Sequence, residues 1–422
     1  MHRVLSFQMA RGIDESSEYV TKRLCFSFLF SVGFLCLLCG FLLGRFAAER
    51  SMETQAQKTR AELAGNGLRN TEHLQQLALR ELAEASFDRA TDWQTADSID
   101  NNARRVSGFF SNLSFVHEVS HRASCVRAIV RGSREPDRYV ILSVNGDGIA
   151  VALELAGILD KIYTAHEWRP RRSLMFCVSL ASEDVCPQTL PIFAQRRIVA
   201  CVAVHGHPLA SGYVTLSGSD IMRSIAVEAI KTIDGNWTYL EHETSGPRLP
   251  LNTPQVIFSL NESDFAHDQT RRNQSLRLRG TILAQMASQT IWRLSESTVI
   301  RWQPRYFNET VNKLLESINT DKFRDAKEKL KTTLKTLLAA VEDLNAKIDA
   351  MENIPTLRAR MWNDLLLDLD KALLCPDENS RSRTDLIEFR KLLHKPTDNS
   401  ASTCLHEIAK CYEDASLILQ ER

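Results

Sequence analysis

The run Leu24–Gly44, LCFSFLFSVGFLCLLCGFLLG, holds 21 consecutive residues without a single charge. As a helix rising about 1.5 Å per residue it spans roughly 30 Å, the thickness of a bilayer's hydrocarbon core. Lys22 and Arg23 close it on one side and Arg45 on the other. A cleaved signal peptide has an apolar stretch of about 7–15 residues and a small-residue cleavage site. This stretch is longer, follows 23 polar or mixed residues and runs into Gly44-Arg45-Phe46. A soluble buried helix normally carries a polar face, which this run lacks. The expectation is an uncleaved signal-anchor: one membrane pass, with everything chemically interesting after it.

Orientation is read less directly. Arg3, Arg11, Lys22 and Arg23 precede the segment, and Arg45, Arg50, Lys58 and Arg60 follow it, so the positive-inside rule gives little. Five N-x-[ST] sequons start at Asn112, Asn236, Asn261, Asn273 and Asn308, all after the anchor. They favour a type II protein of the plasma membrane or secretory pathway with an extracellular or lumenal C-terminus.

The chain has 10 cysteines. Cys25, Cys36 and Cys39 sit in the apolar run, leaving Cys125, Cys177, Cys186, Cys201, Cys375, Cys404 and Cys411. No C-x-x-C pair lies outside the membrane segment, which excludes a zinc ribbon. Cys177 and Cys201 fall in apolar, strand-like runs, where a buried thiol is the default. The odd count leaves at least one thiol unpaired or intermolecular. Lys+Arg and Asp+Glu are both 52, and this balance without a basic cluster argues against a nucleic-acid partner.

Residues 51–85 are rich in Ala, Glu, Gln, Leu and Arg and contain no proline, reading as a helical stalk. Further on, YVILSV from Tyr139, LMFCVS from Leu174, IVACVAV from Ile198 and QVIFSL from Gln255 are apolar strands. They alternate with helical spacing over Ala150–His166 and Ser219–Ile233. Such alternation predicts an α/β fold, a doubly wound parallel sheet covered on both faces. From about Gly280 strand signals stop. Helices are expected at 281–294, 322–351, 357–374, 383–394 and 402–420. Leu330, Leu334, Leu337, Leu338, Val341, Leu344, Ile348 and Met351 recur at spacings of three and four, either as helical core or as a subunit interface. The organisation read is 1–23 cytoplasmic tail, 24–44 anchor, 45–110 stalk and helical start of the ectodomain, 111–279 α/β domain and 280–422 helical domain.

Three segments carry a resemblance. AIVRGSREPDRYVIL from Ala128 to Leu142 is similar to the strand entering the active site of glutamate carboxypeptidase II. EWRPRRSLMF from Glu167 to Phe176 resembles the next strand of that family, which includes the transferrin receptors. Ala284-Gln285, Trp292-Arg293-Leu294 and Ser297-Thr298-Val299-Ile300 fall at the family's spacing, and Arg360-Met361-Trp362-Asn363-Asp364 resembles a motif of its helical dimerisation domain. The resemblance covers most of residues 110–370. It implies a zinc-peptidase-like sheet, an all-α dimerisation domain and a homodimer formed through the C-terminal helices.

It also implies a site from which this sequence departs. Peptidases of the family hold two zinc ions with two His and three acidic ligands, and a separate Glu is the general base; two such metals activate a water. The first His position is Asn145 here. The bridging-acid loop is missing, and Asp147 stands in for only one acid. The paired Glu-Glu becomes Ser182-Glu183, so Ser182 occupies the general-base position. The acid after the third strand falls at or beside His205, and the last His position falls on Leu260. Asn145 is a poor zinc ligand and Leu260 is none, and loss of the base alone removes a factor of about 10²–10⁴. The positions Asn145, Asp147, Glu183, His205 and Leu260 therefore read as vestigial, with no catalytic residue, metal or cofactor expected.

His205-Gly206-His207 with Glu183 is the sharpest single-metal candidate, since i and i+2 of a strand share a side; loop histidines bonded to backbone are the plainer reading. Ser182 and Ser143 lack a nucleophile-elbow context, and Glu183-Asp184 reads as a solvated loop tip. Asn101–Ser124 is too short for the family's protease-associated domain. The favoured reading is a degenerate, non-catalytic receptor or scaffold with an unknown protein ligand. One rival is an active glutamate-carboxypeptidase-like zinc peptidase, with His117, His121, His205, His207 or His267 supplying ligands. The other is a damaged gene product that barely folds.

Overall fold

The computed structural model describes residues 25–50, 68–85, 87, 98–122, 124–146, 148–181, 186–206, 214–231, 233, 239–241, 253–260, 269–318, 323–351, 354–373, 375 and 398–420. Contacts divide the chain into two compact units, Met1–Ala61 and Glu62–Arg422. In the first, helix α1 (Cys25–Arg50) is long and apolar enough to cross a membrane, by length and composition.

The second unit is built on one sheet of eight strands: β1 (Glu118–Arg122), β2 (Cys125–Val130), β3 (Glu135–Gly146), β4 (Arg172–Ser179), β5 (Ile198–Gly206), β6 (Val214–Gly218), β7 (Tyr239–Glu241) and β8 (Gln255–Leu260). Their order is β1-β2-β4-β3-β5-β8-β6-β7. The four apolar runs form the parallel centre β4-β3-β5-β8, while β2 pairs antiparallel with β4 and β6 antiparallel with β8. The sheet is thus mixed rather than wholly parallel. The antiparallel strands escape a reading by apolar runs because β1 (EVSHR) is polar and β6 (VTLSG) is short and alternates.

Helices α2 (Leu68–Glu84), α3 (Ile99–Ser111), α4 (Gly148–His166), α6 (Asp220–Ile230) and α7 (Gln269–Glu296) share one core with Val126, Val140, Leu142, Phe176, Val202 and Phe258. The opposite face holds a smaller cluster of Cys125, Ile141, Met175, Cys177, Cys186, Leu190, Ile198 and Cys201. Among the described residues it is packed by the 3-10 turn Cys186–Thr189 and the four-residue helix α5 (Ile192–Gln195). The expected double winding is therefore lopsided. Pro187 and Pro191 interrupt the β4–β5 connection, and proline cannot sit inside a longer helix.

Two boundaries move. Leu74, Ala78 and Leu82 of α2 are buried in the main core, so at least Leu68–Glu84 is part of the folded unit rather than a stalk. Helix α7 runs through the expected border at 279/280 and packs against α2, α4 and α6. Beyond it lie α8 (Arg305–Ser317), α9 (Arg324–Asp349), α10 (Thr356–Leu373) and α11 (Asp398–Gln420). The leucine stripe is core. Leu330, Leu334, Leu337, Val341, Leu344 and Ile348 are buried where α9 meets α11, and Leu338 and Met351 are half-buried against the same core. That stripe is packed into the core of its own chain. The helix expected at 383–394 lies outside the described residues.

Cysteine pairing also corrects an expectation. Cys177 is bonded to Cys186, which approaches from the turn over β4, and Cys375 bridges to Cys411. Cys201 is a buried thiol, and burial drives its pKa upward.

The amino ends of β3 and β4 carry the main ionic cluster. Glu135 accepts from Arg171 at 2.8 Å with one carboxylate oxygen and from Arg172 at 3.2 Å with the other. The Arg172 guanidinium, with no solvent exposure, also donates to the carbonyls of Leu294, Ser297 and Thr298 at 2.7, 2.8 and 3.3 Å. These carbonyls belong to the end of α7 and the residues after it, where helical C=O groups lack internal partners. Trp168 stacks on Trp292 beside this junction, 4.6 Å between ring centroids.

Arg172→Met is expected to cost about 3–5 kcal/mol, because Glu135 and three carbonyls lose their shared donor. Urea denaturation of the full chain reads it out, and Arg172→Lys should recover only part. Glu296 titrates in the same place: burial raises its carboxyl pKa from 4.5 to about 7, opposed by the Arg171 backbone N–H and the Arg172 and Arg171 charges. Between those two pH values the unfolded chain releases this proton while the folded chain keeps it. Stability should fall as pH rises through that window and level off above it. Glu296→Gln should flatten that limb in thermal melts between pH 4.5 and 7.

Candidate functional site at the carboxyl edge of the sheet

The four parallel strands end together, and their last outward positions are in register. Asn145 pairs with Ser179 of β4 on one side and His205 of β5 on the other; His205 pairs with Ser259 of β8, and Ser259 with Thr215 of β6. In-register side chains lie on one face of a sheet. The result is a five-strand row of neutral hydrogen-bonding groups: Ser179, Asn145, His205, Ser259 and Thr215.

The local reasons are visible in the chain. In β3, β5 and β8 the core-side residues Val144, Val204 and Phe258 alternate with the smaller or polar Asn145, His205 and Ser259. At Gly146 the backbone leaves β3 with φ of +52°, a left-handed turn that glycine makes without strain. A Cβ on Gly148, the first residue of α4, would collide with the Val204 carbonyl oxygen, so only glycine lets α4 start this close to β5.

Two members are tied down. The Thr215 hydroxyl donates to the Ser259 carbonyl at 3.1 Å and lies 2.6 Å from the Ser259 hydroxyl. Ser179 Oγ donates to the Ala181 carbonyl at 2.9 Å. Asn145 and His205 are half-buried. Burial lowers the His205 pKa, which holds the imidazole neutral at physiological pH.

This row contains two of the five positions read as vestigial metal sites. Leu260 ends β8 beside it, opposite Val214. Asp147 and Glu183 lie outside the described residues, as do Ser182, Asp184, His207 and His267. The histidines of the rival zinc reading are not gathered. His121 sits on β1, four strands from His205 and so roughly 19 Å away at about 4.8 Å per strand. His117 Nδ1 lies 3.0 Å from the Phe115 carbonyl and accepts from the Arg131 N–H at 3.3 Å. Among the described residues no three His, Cys, Asp or Glu side chains group as a metal site. One imidazole, one amide and three hydroxyls do not form a two-zinc donor set, which requires carboxylates and further nitrogen ligands.

Sequence reasoning missed Ser179, Ser259 and Thr215. The signal was the alternation at the ends of LMFCVS, QVIFSL and VTLSG, where a hydroxyl follows each core residue.

No family model matches the chain. Among curated proteins it is 24% identical to aminopeptidase NAALADL1 of Mus musculus over 352 residues, covering 67% of this chain and 47% of that protein. The Rattus norvegicus counterpart is 23% identical over 325 residues, 60% of this chain and 44% of that protein. The "Probable glutamate carboxypeptidase LAMP1" of Arabidopsis thaliana is 37% identical over 78 residues, 16% and 11% of the two chains. Among solved structures, the LapA aminopeptidase of Legionella pneumophila aligns at a TM-score of 0.42 and 10% identity, covering 54% of this chain and 75% of that one. The chain spans about half the length of the first two curated relatives. These likenesses relate the chain to aminopeptidases and glutamate carboxypeptidases.

Proposed function

We propose that this protein is a catalytically inactive peptidase homologue, anchored in the membrane by α1, that acts as a receptor or scaffold. The observation that carries the reading is Asn145. It occupies the place where the family resemblance expects a first histidine ligand, in register between Ser179 and His205. An amide oxygen there is a weak zinc ligand, and the Leu260 position offers no donor. Without the metals and with Ser182 in the general-base position, the chain lacks the means to activate a hydrolytic water. Among the described residues of the row, Asn145, His205 and Ser259 are the half-buried ones, and Ser179 and Thr215 are buried.

The same proposal includes a type II topology, with residues 1–23 cytoplasmic, and a homodimer formed through the C-terminal helices. Its contact residues would lie outside the α9 stripe, which the chain's own core consumes. The decisive measurement is metal content of the purified full-length protein together with glutamate release from an N-acetylated acidic dipeptide. We expect far less than one zinc per chain and no turnover. Near-stoichiometric zinc with turnover would establish the peptidase reading instead.

Glycosylation gives a second test, of topology. Asn112 is the exposed C-cap of α3. Asn308 sits inside α8, and the Thr310 hydroxyl of its sequon is 9% exposed and donates to the Tyr306 carbonyl at 3.0 Å. Asn236 and Asn261 fall outside the described residues, and Asn273 lies in α7. In secreting cells Asn112→Gln should remove one glycan's mass and Asn308→Gln none, read by gel shift with and without endoglycosidase. A chain bearing no glycan at Asn112 would contradict a lumenal C-terminal unit.

A further inference from the structure

We infer that the amino edge of the parallel strands docks a sulfated polysaccharide chain. Arg131 follows β2, Arg169 precedes β4, and Arg196 and Arg197 precede β5; all four are exposed. They come from three separate segments, so the sequence shows no basic run here. Strand pairing brings the segments to one level: Val130 pairs with Leu174, Ser173 with Tyr139, and Tyr139 with Ile198. The order β2-β4-β3-β5 then spreads the arginine positions along the rim over roughly 14 Å, three strand spacings of about 4.8 Å. Backbone bonds fix the row. The Ser133 N–H donates to the Pro170 carbonyl at 2.8 Å, and the Tyr139 N–H donates to the Arg197 carbonyl at 3.0 Å. Arg169 donates to the Tyr163 hydroxyl at 3.2 Å, which orients it without consuming its charge.

Opposing charge at this edge is mostly neutralised internally. Glu135 is buried between Arg171 and Arg172, Asp137 pairs with Arg360, and Asp364 pairs with Arg138. Glu118 and Glu167 are exposed carboxylates here. A linear polyanion needs a row of positive charge rather than a pocket, and guanidinium forks match sulfate oxygens as they match phosphate. A protein partner would need a desolvated apolar centre. Ile192 and Phe193 of α5 are exposed beside Arg196, but at one end of the row rather than its middle. Acidic phospholipids charge the cytoplasmic leaflet, away from a lumenal or extracellular unit. The choice of a glycan over a lipid therefore rests on the topology proposed above.

Heparin is the probe. The full-length chain, in an uncharged detergent, can be passed over immobilised heparin at a series of salt concentrations. We expect binding that weakens steeply with salt, as ionic contacts to a polyanion do. Arg131→Ala with Arg169→Ala, and separately Arg196→Ala with Arg197→Ala, should each weaken it by about ten-fold or more and lower the log–log salt slope by about two. Lys331→Ala with Lys335→Ala, at exposed positions of α9, should leave it unchanged, as should Ile192→Ser with Phe193→Ser. A variant that no longer melts cooperatively has misfolded. Heparin protection of the Arg196 and Arg197 amides in the unaltered chain, read by hydrogen exchange, then decides. Unchanged affinity in both arginine variants, or an equal loss in the lysine or apolar variant, overturns the inference. So does tighter binding to a single-stranded oligonucleotide than to heparin, which would assign the rim to nucleic acid. The readout uses neither a bilayer nor a peptide substrate, so a failed anchor, an inverted topology or an active metal site leaves it untouched. Absence of heparin binding in turn leaves the glycan-mass and zinc measurements standing.

Discussion

A guanidinium with no access to water holds this structure to one arrangement. Arg172 cannot shed its charge, and its burial is tolerable only because Glu135 and the carbonyls of Leu294, Ser297 and Thr298 surround it. Those partners come from the start of β3 and from the end of α7 and the turn beyond it, more than a hundred residues later in sequence. Any packing that separates α7 from the sheet strands the charge. The contact also satisfies the C-terminal carbonyls of a 28-residue helix. Asn363 extends the same logic by accepting from the Ile300 N–H and donating to the Thr298 carbonyl, which draws α10 onto this junction. Asp370 then accepts from the Ile221 N–H at 3.0 Å, so α10 caps α6 from outside.

With the amino ends of the strands locked this way, the chemistry divides between two edges. The amino edge concentrates charge: paired and buried in its interior, arginine-rich at its rim. The carboxyl edge, where open α/β sheets present ligand sites, carries hydroxyls, an amide and a neutral imidazole among its described residues. The division reflects dielectric. Carboxylates and guanidiniums persist where they meet each other or water, while His205, half-buried without a described acidic neighbour, gives up its proton.

Much of the architecture was legible in the chain. LMFCVS, IVACVAV and QVIFSL became β4, β5 and β8, because a strand buried on both faces must be apolar throughout. The spacing of Leu330 to Ile348 announced a helix with one buried side. The same letters did not say what that side would touch, since a stripe facing another subunit and one facing α11 obey the same periodicity. Cys177 looked like a core thiol for a similar reason: its strand context was visible, whereas Cys186 reaches it through a turn. Polar β1 and short β6 gave no run to detect. The candidate site was half legible. Asn145 and His205 were found by resemblance, but Ser179, Ser259 and Thr215 had significance only once pairing register aligned them.

By itself the sequence determined the quantities that depend on near neighbours: a membrane-length apolar helix, the apolar centre of a sheet and the periodic helices after Gly280. Tertiary structure alone decided which strands run antiparallel, that Leu68–Glu84 joins the core, where the leucine stripe is spent, and which polar side chains stand in one row. Those outcomes turn on contacts between residues far apart in the chain, whose free energies are settled by burial and pairing rather than by the local pattern of letters.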